Sequence, residues 1–232
     1  MLYFYQSKIS KGQHLLEDEE FQHCVKVLRK GVGDQIGIFD GKGGKYEVEI
    51  TAVGKRSCEF KILSEEQLSP RPFYNHIAIA PTKNTDRIEW FVEKACELGV
   101  DEISFILTTN CERNKMRIDR LEKKAVSALK QSKSGFLTKI NELEKLDKFL
   151  GSTQADQKFI AFVEDGLPYF SDELKSNSNT LTLIGPEGDF TQEEVNAVLK
   201  IGFTKISLGK STLRTETAGL MAAHFVNMLN GY

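Results

Sequence analysis

The spacing of hydrophobic positions changes part-way along the chain. Up to about residue 65 the apolar residues come in short alternating runs, the period of half-buried strands: Leu2–Tyr5, Gln35–Phe39, Lys45–Val53 and Ser57–Leu63, with one helix predicted over Asp18–Leu28. Asp40-Gly41-Lys42-Gly43-Gly44 separates two of these runs as a hairpin with a glycine-rich loop would, and Val53-Gly54-Lys55 marks the next reversal. Five or so strands at this spacing predict a small β-barrel. The polar segment Ser64–Phe73, which carries Pro70 and Pro72, reads as a linker and divides the chain into domains 1–69 and 70–232.

Beyond the linker, strands alternate with helices. Strands are predicted at His76–Ala80, Ile103–Leu107, Phe159–Val163, Thr180–Ile184 and Lys205–Leu208. Ile88, Phe91, Val92, Ala95 and Leu98 share one face of a helix that ends at Gly99, and Ile118, Leu121, Ala125 and Leu129 define another. Thr191 and Glu194 form a T-x-x-E capping box, flanked by Phe190 and Val195 as a hydrophobic staple, and Gly202 closes that helix. Apart from Phe159–Val163, residues 140–180 give no clear assignment. The alternation predicts an α/β domain with a mostly parallel sheet.

Composition narrows the class of protein. With 40% hydrophobic and 28% charged residues the chain reads as a soluble globular protein, and no apolar run is long enough to span a membrane. The opening MLYFYQSKIS turns polar too early for a secretory signal, so a cytoplasmic location is expected. Cys24, Cys58, Cys96 and Cys111 have no C-x-x-C pairing, and the histidines show no ligand spacing, so neither a metal nor a disulfide framework is expected. The net charge of −2 excludes a protein that coats nucleic acid indiscriminately. One stretch departs from it: Arg113–Lys139 holds nine Lys or Arg against Asp119 and Glu122. A solvated helix face and a nucleic-acid surface are equally compatible with such a run.

Two loops near the C-terminus carry candidate chemistry. In a parallel sheet with right-handed crossovers, each loop running from strand to helix emerges at the carboxyl edge, where ligands bind. Gly185-Pro186-Glu187-Gly188 offers exposed backbone close to a ligand, and neither it nor any other segment has phosphate-loop spacing. The second, Leu208–Thr217, places Arg214, Glu216 and several hydroxyls at the mouth of the last helix. Arg214 opposes the helix dipole there, which points to a role beyond helix propensity, whereas Glu216 suits the position and is equally a cap.

The pair IGPEGDF and SLGKSTLRTETA resembles the signature of the SPOUT superfamily, specifically the RsmE family of 16S rRNA (uracil-N3) methyltransferases. His23–Arg29 with Gly33-Asp34, and DRIEWFVEKACELGV followed by Cys111-Glu112-Arg113, are similar to that family's N-terminal and central motifs, so the resemblance spans almost the whole chain. It implies an N-terminal PUA-like β-barrel and a C-terminal SPOUT α/β domain tied in a deep trefoil knot. It further implies a homodimer, S-adenosylmethionine as cofactor, and 16S rRNA of the small ribosomal subunit as partner. The cofactor would be held by Leu183, Ile184, Gly185, Pro186, Glu187, Gly188, Leu208, Gly209, Leu213, Arg214, Thr217 and Ala218. Arg214 is the candidate to stabilise charge on the uracil, and Glu216 the candidate proton acceptor. Lys26, Arg29, Lys30, Arg113, Arg117, Arg120, Lys123 and Lys124 would contact RNA phosphates. The chain departs from the family pattern at Asp189, where a second glycine is usual, in lacking an arginine near its start, and in Ala128–Ile140, which keeps Gln131 without the usual arginine and proline. Two other classes compete: an α/β enzyme using a nucleotide cofactor, disfavoured by the missing phosphate loop, and a non-catalytic RNA-binding or assembly protein, disfavoured by the intact loops.

Overall fold

The computed structural model describes residues 1–232. By packing, the chain forms two compact units: Met1–Pro70 with Val126–Leu137, and Arg71–Ala125 with Thr138–Tyr232. The segment Val126–Leu137, which sequence puts in the second domain, thus clusters with the first.

In chain order the first unit contains β1 (Tyr3–Tyr5), β2 (Leu15–Glu17), α1 (Asp18–Phe21), β3 (Gln35–Phe39), β4 (Gly44–Val53) and β5 (Ser57–Gln67). The predicted helix over Asp18–Leu28 forms as α1 followed by a π-helical turn, Gln22–Val27. The sheet order is β1-β3-β4-β5-β2, antiparallel except for β1 against β3. Its edge strands do not pair with each other, so the small β-barrel expected from the sequence takes the form of a curled half-barrel. Register shifts at Glu47/Val48 and Ile50/Ala52 curl it, because a bulge sharpens the local twist. One face buries Phe4, Leu16, Phe21, Ile36, Ile38, Val48, Ile50 and Phe60. β2 escapes a periodicity argument because three residues contain a single alternation.

The second unit contains β6 (Asn75–Ile79), α2 (Thr85–Glu97), β7 (Glu102–Leu107), α3 (Ile118–Ser132), β8 (Lys139–Lys145), α4 (Leu146–Ser152), β9 (Gln157–Ala161), α5 (Phe170–Glu173), β10 (Thr180–Ile184), α6 (Gln192–Lys200), β11 (Thr204–Ile206) and α7 (Thr215–Leu229). The last residues of α3 belong to the first unit. The sheet order is β11-β9-β10-β6-β7-β8, with every pairing parallel. β6 and β10 are buried at every position, as expected of central strands covered on both faces.

The predicted capping box on α6 is complete, with both reciprocal hydrogen bonds. Phe203 N–H to Val198 O and Gly202 N–H to Leu199 O close the far end, with Gly202 at φ +88°. α7 packs on α2, β6 and β10. That approach needs Gly219, because a Cβ there would lie 2.7 Å from the Phe91 ring and 2.9 Å from Ile79 Cδ1. Its other end is pinned by Asn75 Nδ2, which donates to Ala223 O at 3.0 Å, and by Asn227, which donates to Leu98 O.

At the opposite, amino edge of the sheet, His76 is buried with its Nε2 2.8 Å from Ser104 Oγ. Asn141 Nδ2 donates to Ser104 Oγ at 2.8 Å and to Glu102 Oε1 at 2.5 Å. Burial pushes the Glu102 carboxyl up, but hydrogen bonds from Lys139, Asn141 and Tyr74 outweigh it and hold the group at about 2. Burial holds the His76 imidazole down at about 4, well below its ordinary 6.5. Protonation of His76 therefore favours the unfolded chain: its full contribution is present above pH 6.5 and is lost as pH falls from there toward 4. Between pH 7.5 and 5.5 this costs roughly 1.3 kcal/mol. Urea unfolding at the two pH values is expected to show that loss in the native sequence and to show it abolished in His76→Gln; an equal loss in both would assign it to other groups.

Candidate functional site

Three loops leaving the carboxyl edge enclose one cleft of about 700 Å³: those after β9, β10 and β11. Of the positions expected to hold a cofactor, Ile184, Gly185, Pro186, Glu187, Leu208, Gly209, Leu213, Arg214 and Ala218 line it. Leu183, Gly188 and Thr217 do not. Leu183 points into the apolar core with Val195 and Val198, as the alternation along β10 requires once its neighbour Ile184 faces the cleft.

The loop after β9, Phe162–Tyr169, is the part that sequence reasoning missed. It has no glycine-rich signature, yet it too follows a parallel strand, so the edge rule applied to the other two loops was the available signal. Val163 and Tyr169 are exposed at its mouth. Its end is tied to the loop after β11 by Ser207 N–H to Pro168 O at 2.9 Å and Phe170 N–H to Ser207 O at 3.0 Å. Glu164 pairs with Lys205.

The loop after β10 owes its shape to a residue in an uncommon conformation. Asp189 has φ +57°, where a side chain is strained and glycine is not. Its carboxylate offsets part of the cost by accepting from Phe190 N–H at 2.8 Å, and its own N–H donates to Pro186 O at 3.0 Å. Burial raises the Asp189 carboxyl above the usual range. The glycines have packing roles as well. A Cβ on Gly185 would come within 3.0 Å of the Phe190 ring, and one on Gly188 within 3.1 Å of Asn110 Cβ. Glu187 accepts from Lys83 N–H at 3.1 Å.

The two candidate catalytic residues part company. Arg214 is the N-cap of α7, lines the cleft and makes no side-chain cap. Glu216 is buried in the first turn of that helix, outside the cleft lining, with Oε1 3.7 Å from Arg87 Nε and Oε2 without a hydrogen-bond partner. The carboxylate is thus directed to α2 and the helix N-terminus rather than to the cleft.

The cations expected to meet RNA are largely engaged. Arg113 donates to the carbonyls of Thr82 (3.2 Å) and Lys83 (2.8 Å), bracing the loop after β6. Arg117 pairs with Asp119 at 3.0 Å, Arg120 with Glu89 at 3.1 Å, and Lys124 with Glu93 at 3.1 Å. Lys123 lies on the same helix. In the first unit, Lys26 stands 5.7 Å over the Phe21 ring, Lys30 pairs with Asp34 at 3.6 Å, and Arg29 has φ +56°. No group of three His, Cys, Asp or Glu is arranged to hold a metal ion.

Residues 69–227 match the family model described as the RNA methyltransferase domain, and residues 16–63 match the RNA methyltransferase PUA domain. The chain belongs to the RsmE family of RNA methyltransferases. It is 28% identical over 229 residues to the ribosomal RNA small subunit methyltransferase E of Rickettsia conorii, covering 94% of this chain and 90% of the relative. A crystal structure of a probable rRNA-methyltransferase from Porphyromonas gingivalis superposes with a TM-score of 0.91 at 37% identity, covering 100% of this chain and 99% of that one. The ribosomal RNA small subunit methyltransferase E of Neisseria gonorrhoeae, solved bound to S-adenosyl methionine, superposes with a TM-score of 0.87 at 25% identity, covering 99% and 98%.

For this RsmE-family chain the cost of Asp189 is measurable. Asp189→Gly loses the bond to Phe190 but relieves the strained φ, so stability should change by less than about 1 kcal/mol. Asp189→Ala loses the bond and keeps the strain, and is expected to be the less stable of the two by about 1 kcal/mol in urea unfolding. Equal stabilities would mean that the left-handed turn carries no strain.

Proposed function

We propose that this chain transfers a methyl group from S-adenosylmethionine to N3 of a uridine in 16S rRNA of the small ribosomal subunit. The observation that carries the reading is the three-loop cleft, whose size falls within the roughly 300–1,000 Å³ of small-molecule sites. Its lining fits such a cofactor: backbone of Gly185–Glu187 and Leu208–Gly209 for the polar edges, Ile184, Leu208, Leu213 and Ala218 for apolar surface, and Glu164, Asp165 and Asp189 as counter-charges for a cation. When bound, the sulfonium supplies an activated methyl group. Leu183, Gly188 and Thr217 lie outside the lining, and we assign them no contact with the cofactor.

The chain's own task is mostly alignment, since methyl transfer is a single in-line displacement. Loss of the N3 proton to solvent water leaves negative charge on the flanking carbonyl oxygens of the uracil, and the nitrogen lone pair then displaces the sulfonium's thioether. Arg214 stands on the cleft with its guanidinium unengaged, and in this reading it stabilises that charge. Glu216 stabilises the first turn of α7 and faces Arg87, so we assign it no proton transfer in the cleft. RNA would be docked through Lys26, Arg29 and Lys30 of the first unit and Arg117, Arg120, Lys123 and Lys124 of the second, by exchange of their present carboxylate partners for phosphates where they have them. Arg113 braces the adjoining loop. The same reading includes a cytoplasmic homodimer and the knotted threading of the family; the insertion of β10 between β6 and β9, with α7 returning onto β6, supports the latter.

Nucleoside mass spectrometry of 16S rRNA from cells lacking the protein should show loss of one 3-methyluridine, and unchanged 3-methyluridine would remove the proposed target. In the purified enzyme, Arg214→Ala is expected to lower kcat by about a hundredfold or more while S-adenosylmethionine still binds calorimetrically. Turnover left intact would remove Arg214 from the chemistry.

A further inference from the structure

Asn110 stands in the connection after β7, outside the cleft lining and against the Gly185–Asp189 turn. Its carboxamide nitrogen donates to two consecutive carbonyls of that turn, Gly188 O at 2.9 Å and Asp189 O at 3.0 Å. Gly188 permits the approach, because it has no side chain to displace Asn110. The preceding residue is tied in as well. Thr109 donates to Glu194 Oε1 from its backbone N–H at 2.7 Å and from its hydroxyl at 2.9 Å. Glu194 Oε2 meanwhile accepts from Thr191 N–H at 2.9 Å and so completes the cap of α6.

Two adjacent residues of one connection thus grip the loop after β10, two strands away in the sheet, at both its turn and its helix entry. A capping box alone requires only Thr191 and Glu194; the bonds from Thr109 and Asn110 are additional to it. They act where the backbone is least constrained by its own sequence. Gly188 tolerates most of conformational space, and Asp189 is held at φ +57° against its preference. With both carbonyls engaged from behind, the peptide planes at 188 and 189 are fixed, and with them the orientation of the Gly185–Glu187 backbone that lines the cleft.

We propose that Asn110 is a positioning residue for the methyl-donor loop: it pre-organises the Gly185–Asp189 turn by donating to both of its last carbonyls, and so sets cofactor affinity without touching the cofactor. The proposal rests on the reading of the cleft as the S-adenosylmethionine site. Pre-organisation of this kind strengthens binding by removing the ordering cost from the binding step.

The test uses the full-length protein with Asn110→Ala and Asn110→Asp. Aspartate matches asparagine in shape but, ionised, has no hydrogen to donate and repels the two carbonyls. Alanine is expected to weaken S-adenosylmethionine binding about tenfold in calorimetric titration, the loss of two ordinary hydrogen bonds, and aspartate at least as much. In turnover assays both should raise KM for S-adenosylmethionine by a similar factor and leave kcat at saturation within about twofold. Affinity retained in Asn110→Ala overturns the proposal; so does affinity retained in Asn110→Asp, which would reduce Asn110 to a space-filler. Hydrogen exchange of the ligand-free proteins separates the two readings. If the native chain does not bind S-adenosylmethionine, the functional reading falls, and the exchange rates of residues 185–190 still decide on Asn110: faster exchange in both variants supports its hold on the turn, and unchanged exchange overturns it.

Discussion

Burial of β10 on both faces, between β6 and β9, is the constraint on which the rest of the second unit depends. A strand covered on both sides must satisfy its backbone entirely within the sheet, and it does so through parallel ladders to both neighbours. Parallel pairing sends β9, β10 and β11 toward the same edge. The loops that follow them therefore meet, although they lie some twenty residues apart in sequence, and their meeting is the cleft. A register slip in β10 would exchange Leu183 for Ile184 at the cleft wall and move Thr182 from one buried face of the strand to the other.

Once the loops meet, hydrogen bonds from side chain to backbone give them their shape. Arg113 braces the loop after β6, Asn110 and Thr109 grip the loop after β10, and Glu187 reaches back to Lys83. Each of these contacts joins the connection of one strand to the connection of another. Such bonds fix backbone that has no ladder partner of its own, and they leave the peptide groups on the cleft side available to a ligand. The same edge separates two charged side chains that are two residues apart on the chain. Arg214 precedes the helix and stays on the cleft, whereas Glu216, inside its first turn, rotates toward Arg87. About 100° of helical rotation per residue is enough to give neighbours different duties.

The basic stretch illustrates how a count of charges differs from a surface. Arg120 and Lys124 stand one helical turn apart on α3, and Glu89 and Glu93 stand with the same spacing on α2, so the two helices pair their charges in register. Glu89 is buried beneath its arginine. Cations held this way can still meet phosphate, but each contact replaces an existing partner, which makes binding depend on geometry and salt rather than on attraction alone.

The sequence by itself determined the elements whose patterns are long and the ends whose chemistry is local. The change from period-two to alternating strand and helix, the apolar faces of α2 and α3, the capping box at Thr191 and Glu194, and the placement of Gly185–Glu187 and Leu208–Arg214 on strand-to-helix connections all follow from neighbours a few residues apart. β2 and α5 are too short to show a period, and β8 alternates poorly because it is a sheet edge with partly exposed faces. Only the tertiary structure decided that the N-terminal barrel is a curled half-barrel, that Val126–Leu137 packs with it, that Phe162–Tyr169 is the third wall of the cleft, and that Gly188 faces Asn110 while Glu216 faces Arg87. Each of those outcomes is set by contacts between residues far apart in the chain, and no local period, cap or turn preference records which distant partner a side chain will meet.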